Sequence, residues 1–173
     1  MPEGKLVNAY RQMTAEGENF RGLSLLIHAR SVQGMIKRSG AVTLLDYGSG
    51  AGVAYDAPYF LHQRWKVPKP RLYDPAIPAL ATRPNEEFDG IVCSDVMEHI
   101  PEHELEDAII YMMTHSRLFL WASICCRPAK KFFPDGITNL HVTVRPIEWW
   151  QTLFGVYAAK CSYRGMLSLE ETL

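Results

Sequence analysis

Apolar positions along the chain follow two different periods. In residues 22–38, Leu25, Ala29, Val32 and Ile36 recur at three- and four-residue spacing, which predicts a helix with one buried face. The period then changes. Val42, Leu44 and Leu45 form a short apolar run ending in glycines, the pattern of a buried strand. A second short strand is predicted at Arg71-Leu72-Tyr73, because Pro68 and Pro70 break whatever precedes it. Residues 88–94 predict another strand, and residues 117–124 are apolar nearly throughout, as suits a strand covered on both faces.

Helical patterns separate these runs. Pro101-Glu102 opens the strongest of them, with acids in the first turn and Leu105, Ala108, Ile109 and Met112 on one side. Pro146 opens a shorter helix reaching Phe154, with Trp149, Trp150 and Leu153 as its apolar side, and residues 156–163 predict a last strand. Between Asp74 and Phe88 only residues 77–83 have room for a further helix and third strand, so that region is expected to be compressed.

Strands alternating with helices imply an α/β fold with a mostly parallel sheet and helices on both faces. Ligands of such sheets sit outside the carboxyl ends of the strands. With 173 residues, 47% hydrophobic and 21% charged, the chain suits one folded domain over residues 1–173. Residues 1 to about 40 read as an amino-terminal helical cap, and residues 125–145 as one long loop. A net charge of -1 gives no global footprint for nucleic acid or an anionic membrane. No apolar run approaches the ~20 residues that span a bilayer, and a cytoplasmic protein is expected. Cys93, Cys125, Cys126 and Cys161 form no C-x-x-C pair and read as reduced thiols.

Candidate chemistry begins at Leu44-Leu45-Asp46-Tyr47-Gly48-Ser49-Gly50-Ala51-Gly52. Glycines at alternate positions let a main chain approach a ligand closely. An acid two residues before the first glycine disfavours a pyrophosphate and favours a cationic ligand. Val53 also stands where a G-x-G-x-x-G dinucleotide loop has its third glycine. Asp74, before Pro75, ends the second strand at the place where nucleotide-binding α/β folds keep a ribose-binding carboxylate. Asp95-Val96-Met97-Glu98-His99-Ile100 follows the strand at residues 88–94.

The acid-x-Gly-x-Gly-x-Gly spacing resembles motif I of the class I S-adenosylmethionine-dependent methyltransferases, and Asp95 to Ile100 resembles their motif IV. The resemblance implies their Rossmann-like fold, S-adenosylmethionine as cofactor and S-adenosylhomocysteine as product. It implies that Asp46 with Gly48, Ser49 and Gly50 holds the methionine portion. Asp74 beside Pro75 would hold the ribose, and Asp95 with Val96 the adenine or amino group. From about Tyr10 to Trp150 the chain is also similar to a small group of such enzymes often encoded in phages and prophages.

The long loop carries Arg127, Lys130 and Lys131, then Asn139-Leu140-His141. Long loops in compact domains are often functional. His141 is a candidate general base or a loop anchor, and the three basic residues suit an anionic substrate or are simply solvated. Glu98 and His99 are candidates to orient a substrate or to bind a metal with His141. Two histidines do not define a metal site, and Glu-His is common at this place in metal-free members of the superfamily, so no metal is expected. The expected activity is methyl transfer to an unidentified acceptor, with a small molecule favoured. Alternatives are a nucleic-acid methyltransferase acting on RNA ribose or base, a non-catalytic cofactor-binding protein, and a Rossmann oxidoreductase, against which Asp46 and Val53 count. No membrane partner is expected, and the sequence leaves monomer and dimer both open.

Overall fold

The computed structural model describes residues 5–16 and 20–172, so part of the expected amino-terminal cap, residues 1–4 and 17–19, lies outside the described residues. Its sheet contains β1 (Leu44–Tyr47), β2 (Arg71–Tyr73), β3 (Phe88–Ser94), β4 (Ser116–Ile124) and β5 (Met166–Glu171). Their order is β2-β1-β3-β4-β5, and every pairing is parallel. The chain builds outward from β1 to β2 and then crosses back to set β3 on the other side of β1. That reversal opens a crevice at the carboxyl ends of β1 and β3. The expected α/β class is present, and the topology is consistent with a Rossmann-like fold.

Among the described residues five α-helices accompany the sheet: α1 (Lys5–Ala15), α2 (Ala29–Ser39), α3 (Leu61–Trp65), α4 (Leu105–His115) and α5 (Ile147–Lys160). Successive strand residues point to opposite faces, and here each face has its own cluster. Leu45, Ile91, Cys93, Leu120 and Ala122 pack with Leu105, Ile109 and Met112 of α4 and with Trp150 and Phe154 of α5. Leu44, Val92, Phe119 and Trp121 pack with Val32 and Met35 of α2 and with Leu61 and Trp65 of α3. The continuous apolar runs of the central strands follow from this double coverage. A third, smaller cluster joins Leu6 and Met13 of α1 to Phe133 and Leu140 of the long loop.

Several elements differ from the sequence expectation. The helix expected over residues 22–38 begins only at Ala29, and Leu25 lies in a separate 3-10 turn, Ser24–Leu26. Residues 77–83 hold a 3-10 turn, Pro78–Leu80, in place of a third strand. The connection is pinned flat instead: Arg83 lies 4.8 Å from the centroid of the Tyr111 ring and pairs with Asp107 at 2.7 Å, and the Tyr111 hydroxyl donates to the Pro84 carbonyl at 2.8 Å. The last helix does not stop at Phe154 but continues to Lys160, and the last strand is β5, beyond the expected residues 156–163. Gly155 and Val156 suggest a break, yet Trp150, Phe154, Tyr157, Ala158 and Cys161 all pack on the same cluster, which extends the helical period through them. Val42 precedes β1 and is 55% exposed, its N–H donating to Asp89 at 2.9 Å. All four cysteines are free, and among the described residues no helix is long and apolar enough to cross a membrane.

Candidate functional site

A cavity of about 350 Å³ opens at the carboxyl ends of β1, β2 and β3. Gly48 and Gly50 line it from the loop after β1, Asp74 and Pro75 from the end of β2, and Asp95 and Val96 from the end of β3. Three segments separated in sequence therefore meet where the strand reversal places a ligand crevice. The opposite wall comes from the amino-terminal cap, in which the sequence singles out no site residue. Leu6, Val7 and Tyr10 of α1, together with Phe20 and Gly22, close the cavity over the glycine loop.

Every main-chain N–H from residue 48 to residue 53 already has a partner within the protein. Gly48 and Ser49 donate to the Tyr73 carbonyl, Ala51 to Phe20, Gly52 to Ser49 and Val53 to Arg21, at 2.8 to 3.1 Å. Gly50 donates to Asp74 Oδ2 at 2.8 Å. A phosphate needs vacant N–H groups, and this loop offers none. Its glycines serve a different need. Gly48 sits at φ +80, and a Cβ there would lie 2.3 Å from Val96; Gly50, at φ +53, would meet the Phe20 carbonyl at 2.4 Å. Gly22, at φ +69, faces the same turn, and a Cβ there would strike the Ser49 carbonyl at 2.0 Å.

Asp46 and Ser49 do not line the cavity. Asp46 is buried, and its Oδ2 accepts a hydrogen bond from the Tyr55 hydroxyl at 2.9 Å. Burial pushes its pKa up to about 7, opposed by the Tyr55 hydrogen bond. The residue thus fastens the far side of the glycine turn. Asp74 keeps both oxygens on main-chain donors, Oδ2 on Gly50 and Oδ1 on Ala76, each at 2.8 Å. Burial raises its pKa while those donors lower it. Asp95 has φ +54, and its Oδ1 accepts from the hydroxyls of Ser123 and Thr172.

Glu98, His99 and His141 come together, with one ligand-type atom of each lying within 4.8 Å of the others. Glu98 is fully buried. Its Oε1 accepts from the Cys125 N–H at 2.9 Å, while its Oε2 is buried without a hydrogen-bond partner. Burial raises its pKa to about 8. His99 Nδ1 lies 2.7 Å from the Tyr10 hydroxyl and 3.0 Å from the Leu140 carbonyl. Burial, then the neighbouring His141, lowers its pKa to about 4. His141 Nδ1 meets the Arg127 carbonyl. Of these three residues, His99 alone lines the glycine-loop cavity. His99 and His141 also line a second cavity with Arg127, Lys130 and Lys131 of the long loop.

The loop is tied to this corner by its own polar groups. Asn139 binds Ala129 in both directions at 2.9 Å. The Thr143 N–H donates to the Glu98 carbonyl at 3.0 Å, and its hydroxyl donates to the Ile100 carbonyl at 2.7 Å. The segment therefore holds a defined shape beside the crevice. Comparison with known proteins adds no relative: no protein-family profile, no curated protein and no solved structure matches the chain.

Proposed function

We propose that the protein binds S-adenosylmethionine in the glycine-loop cavity and transfers its methyl group to an acceptor yet to be identified. The observation that carries this reading is the saturation of the loop N–H groups from residue 48 to residue 53. A loop with no spare donors favours a ligand that brings its own donors or positive charge. S-adenosylmethionine has a sulfonium, an ammonium group and ribose hydroxyls, and it has no phosphate. Asp74 and Asp95 stand along the cavity as acceptors for such groups. The class I methyltransferase resemblance of the sequence supports the same ligand.

On this reading Asp74 accepts from the ribose, Pro75 and Val96 shape the pocket for the adenosine, and Asp95 accepts from the amino group or adenine. Asp46 and Ser49 act indirectly by fixing the loop. An activated methyl on sulfur needs chiefly an aligned nucleophile and exclusion of water. On this reading the wall formed by α1 and Phe20 supplies that exclusion, and His99, which lines the same cavity, is the candidate to face the acceptor.

Calorimetric titration with S-adenosylmethionine and S-adenosylhomocysteine, with NADH as control, tests the reading. Binding of both sulfur ligands in preference to NADH supports it. Preference for NADH, or no binding of either sulfur ligand, overturns it.

A further inference from the structure

We propose that Glu98, His99 and His141 form a site for one divalent transition-metal ion, between the glycine-loop cavity and the cavity under the long loop. The three ligand-type atoms lie within 4.8 Å of one another, and each residue presents the chemistry a metal ligand needs.

Glu98 supplies the first indication. Its Oε1 is satisfied by the Cys125 N–H, but Oε2 is enclosed with no donor. A buried carboxylate oxygen without a partner is costly, and nearly all such atoms in folded proteins find one. A cation between Glu98 and the two imidazoles is the partner this geometry lacks.

The histidines supply the second. His99 Nδ1 faces the Leu140 carbonyl at 3.0 Å, and His141 Nδ1 faces the Arg127 carbonyl. A carbonyl can only accept, so each ring carries its proton on Nδ1 and has its lone pair on Nε2. The Tyr10 hydroxyl fits the same assignment, since it donates to the Leu140 carbonyl at 3.1 Å. Metal-binding histidines are held in this way, one nitrogen fixed by a main-chain or carboxylate oxygen and the other offered to the ion. The two rings lie edge to face with centroids 4.8 Å apart.

Two imidazole nitrogens and one carboxylate oxygen suit zinc, cobalt, iron or manganese better than calcium or magnesium. Zinc lies about 2.0–2.2 Å from nitrogen and oxygen ligands, so the three atoms must draw inward around it. His141 is partly exposed on the long loop, so its side chain is the one with open space beside it for that adjustment. Asp95 stays outside the set, its Oδ1 being held by Ser123 and Thr172. Three protein ligands leave a position open for water or substrate.

The test is titration of metal-free protein with Zn²⁺, comparing the natural chain with Glu98→Gln, His141→Ala and, as control, His103→Ala, each checked for folding by circular dichroism. One Zn²⁺ per chain is expected, bound at least about 100-fold more weakly by the first two variants and equally by the control. Absence of stoichiometric binding, or equal binding by His141→Ala, overturns the site. Should Glu98→Gln fail to fold, His141→Ala decides alone. S-adenosylhomocysteine binding on the same samples separates the two readings. Zinc binding without it supports the metal site and removes the methyl-transfer reading; the reverse overturns the metal site alone.

Discussion

Asp74 Oδ2 accepts the Gly50 N–H at 2.8 Å, so the acid at the end of β2 and the glycine turn after β1 form one unit. Removing that carboxylate both loosens the loop and deletes the proposed ribose acceptor. Hydrogen bonds to charged groups contribute about 1.5–3 kcal/mol. Asp74→Ala is therefore expected to weaken S-adenosylhomocysteine binding by roughly 10- to 100-fold in calorimetry. Asp74→Asn retains an oxygen for Gly50 and is expected to lose less. Equal affinity in Asp74→Ala would exclude the ribose role.

Gly48 and Val96 make the second test. Gly48→Ala places a methyl in a left-handed backbone region, 2.3 Å from a Val96 methyl. Strain and overpacking together cost about 2–4 kcal/mol, read as a shift in the denaturant midpoint. Val96→Ala removes the methyls at 2.3 and 2.7 Å but leaves the Val96 Cβ at 3.0 Å and the backbone strain, so the double variant recovers only part of the loss. At Gly50 the obstruction is the Phe20 carbonyl, and no side-chain change is expected to rescue Gly50→Ala.

Burial raises the Asp46 pKa from 3.8 to about 7. An acid with a raised folded pKa keeps its proton in the fold while the unfolded chain releases it. Its stabilising contribution is complete below 3.8, declines as pH rises and is gone above about 7. Asp46→Asn preserves an acceptor for Tyr55 and removes the titration. Denaturant unfolding across that window should show the natural chain losing up to about 1.4 kcal/mol per pH unit relative to the variant. Parallel pH profiles would show that Asp46 ionises normally.

How much of this was legible in the sequence depended on range. Val32 and Ile36, or Leu105 and Ile109, declare their helices because a local period is enough to mark a buried face. The run to Gly48 declares its strand for the same reason. Phe154 to Cys161 was misread because Gly155 and Val156 carry a local strand and turn bias, whereas packing against the α4 side of the sheet extends the helix. Residues 77–83 offer the only room for a short helix and third strand, but Arg83, Tyr111 and Asp107 hold a crossover with a single 3-10 turn there. Gly48, Gly50, Asp74 and Asp95 are legible as neighbours around one cavity because each follows a strand. Tyr10 and Phe20 are not, since nothing nearby in sequence indicates that they roof the cavity. The tautomers proposed for His99 and His141 rest on two carbonyls distant in sequence, which no local pattern indicates.

Tyr10 joins α1 to the site, donating to the Leu140 carbonyl at 3.1 Å and lying 2.7 Å from His99 Nδ1. Tyr10→Phe keeps the ring contacts with Phe20 and Phe133 and deletes the hydroxyl. A loss of about 1 kcal/mol is expected, with faster amide hydrogen exchange in α1 than in α4. Uniformly faster exchange in both helices would assign the hydroxyl to global stability instead.

The saturated glycine loop also bears on the thermodynamics of occupancy. A turn whose N–H groups are paired in the empty protein is pre-organised, and a ligand entering it immobilises little main chain. The entropy cost then falls mainly on the ligand's own torsions and on side chains such as Tyr10 and His99. Amides 48–53 are accordingly expected to exchange slowly before any ligand arrives and to change little afterwards. On the proposed reading, the ligand fills a shape that already exists.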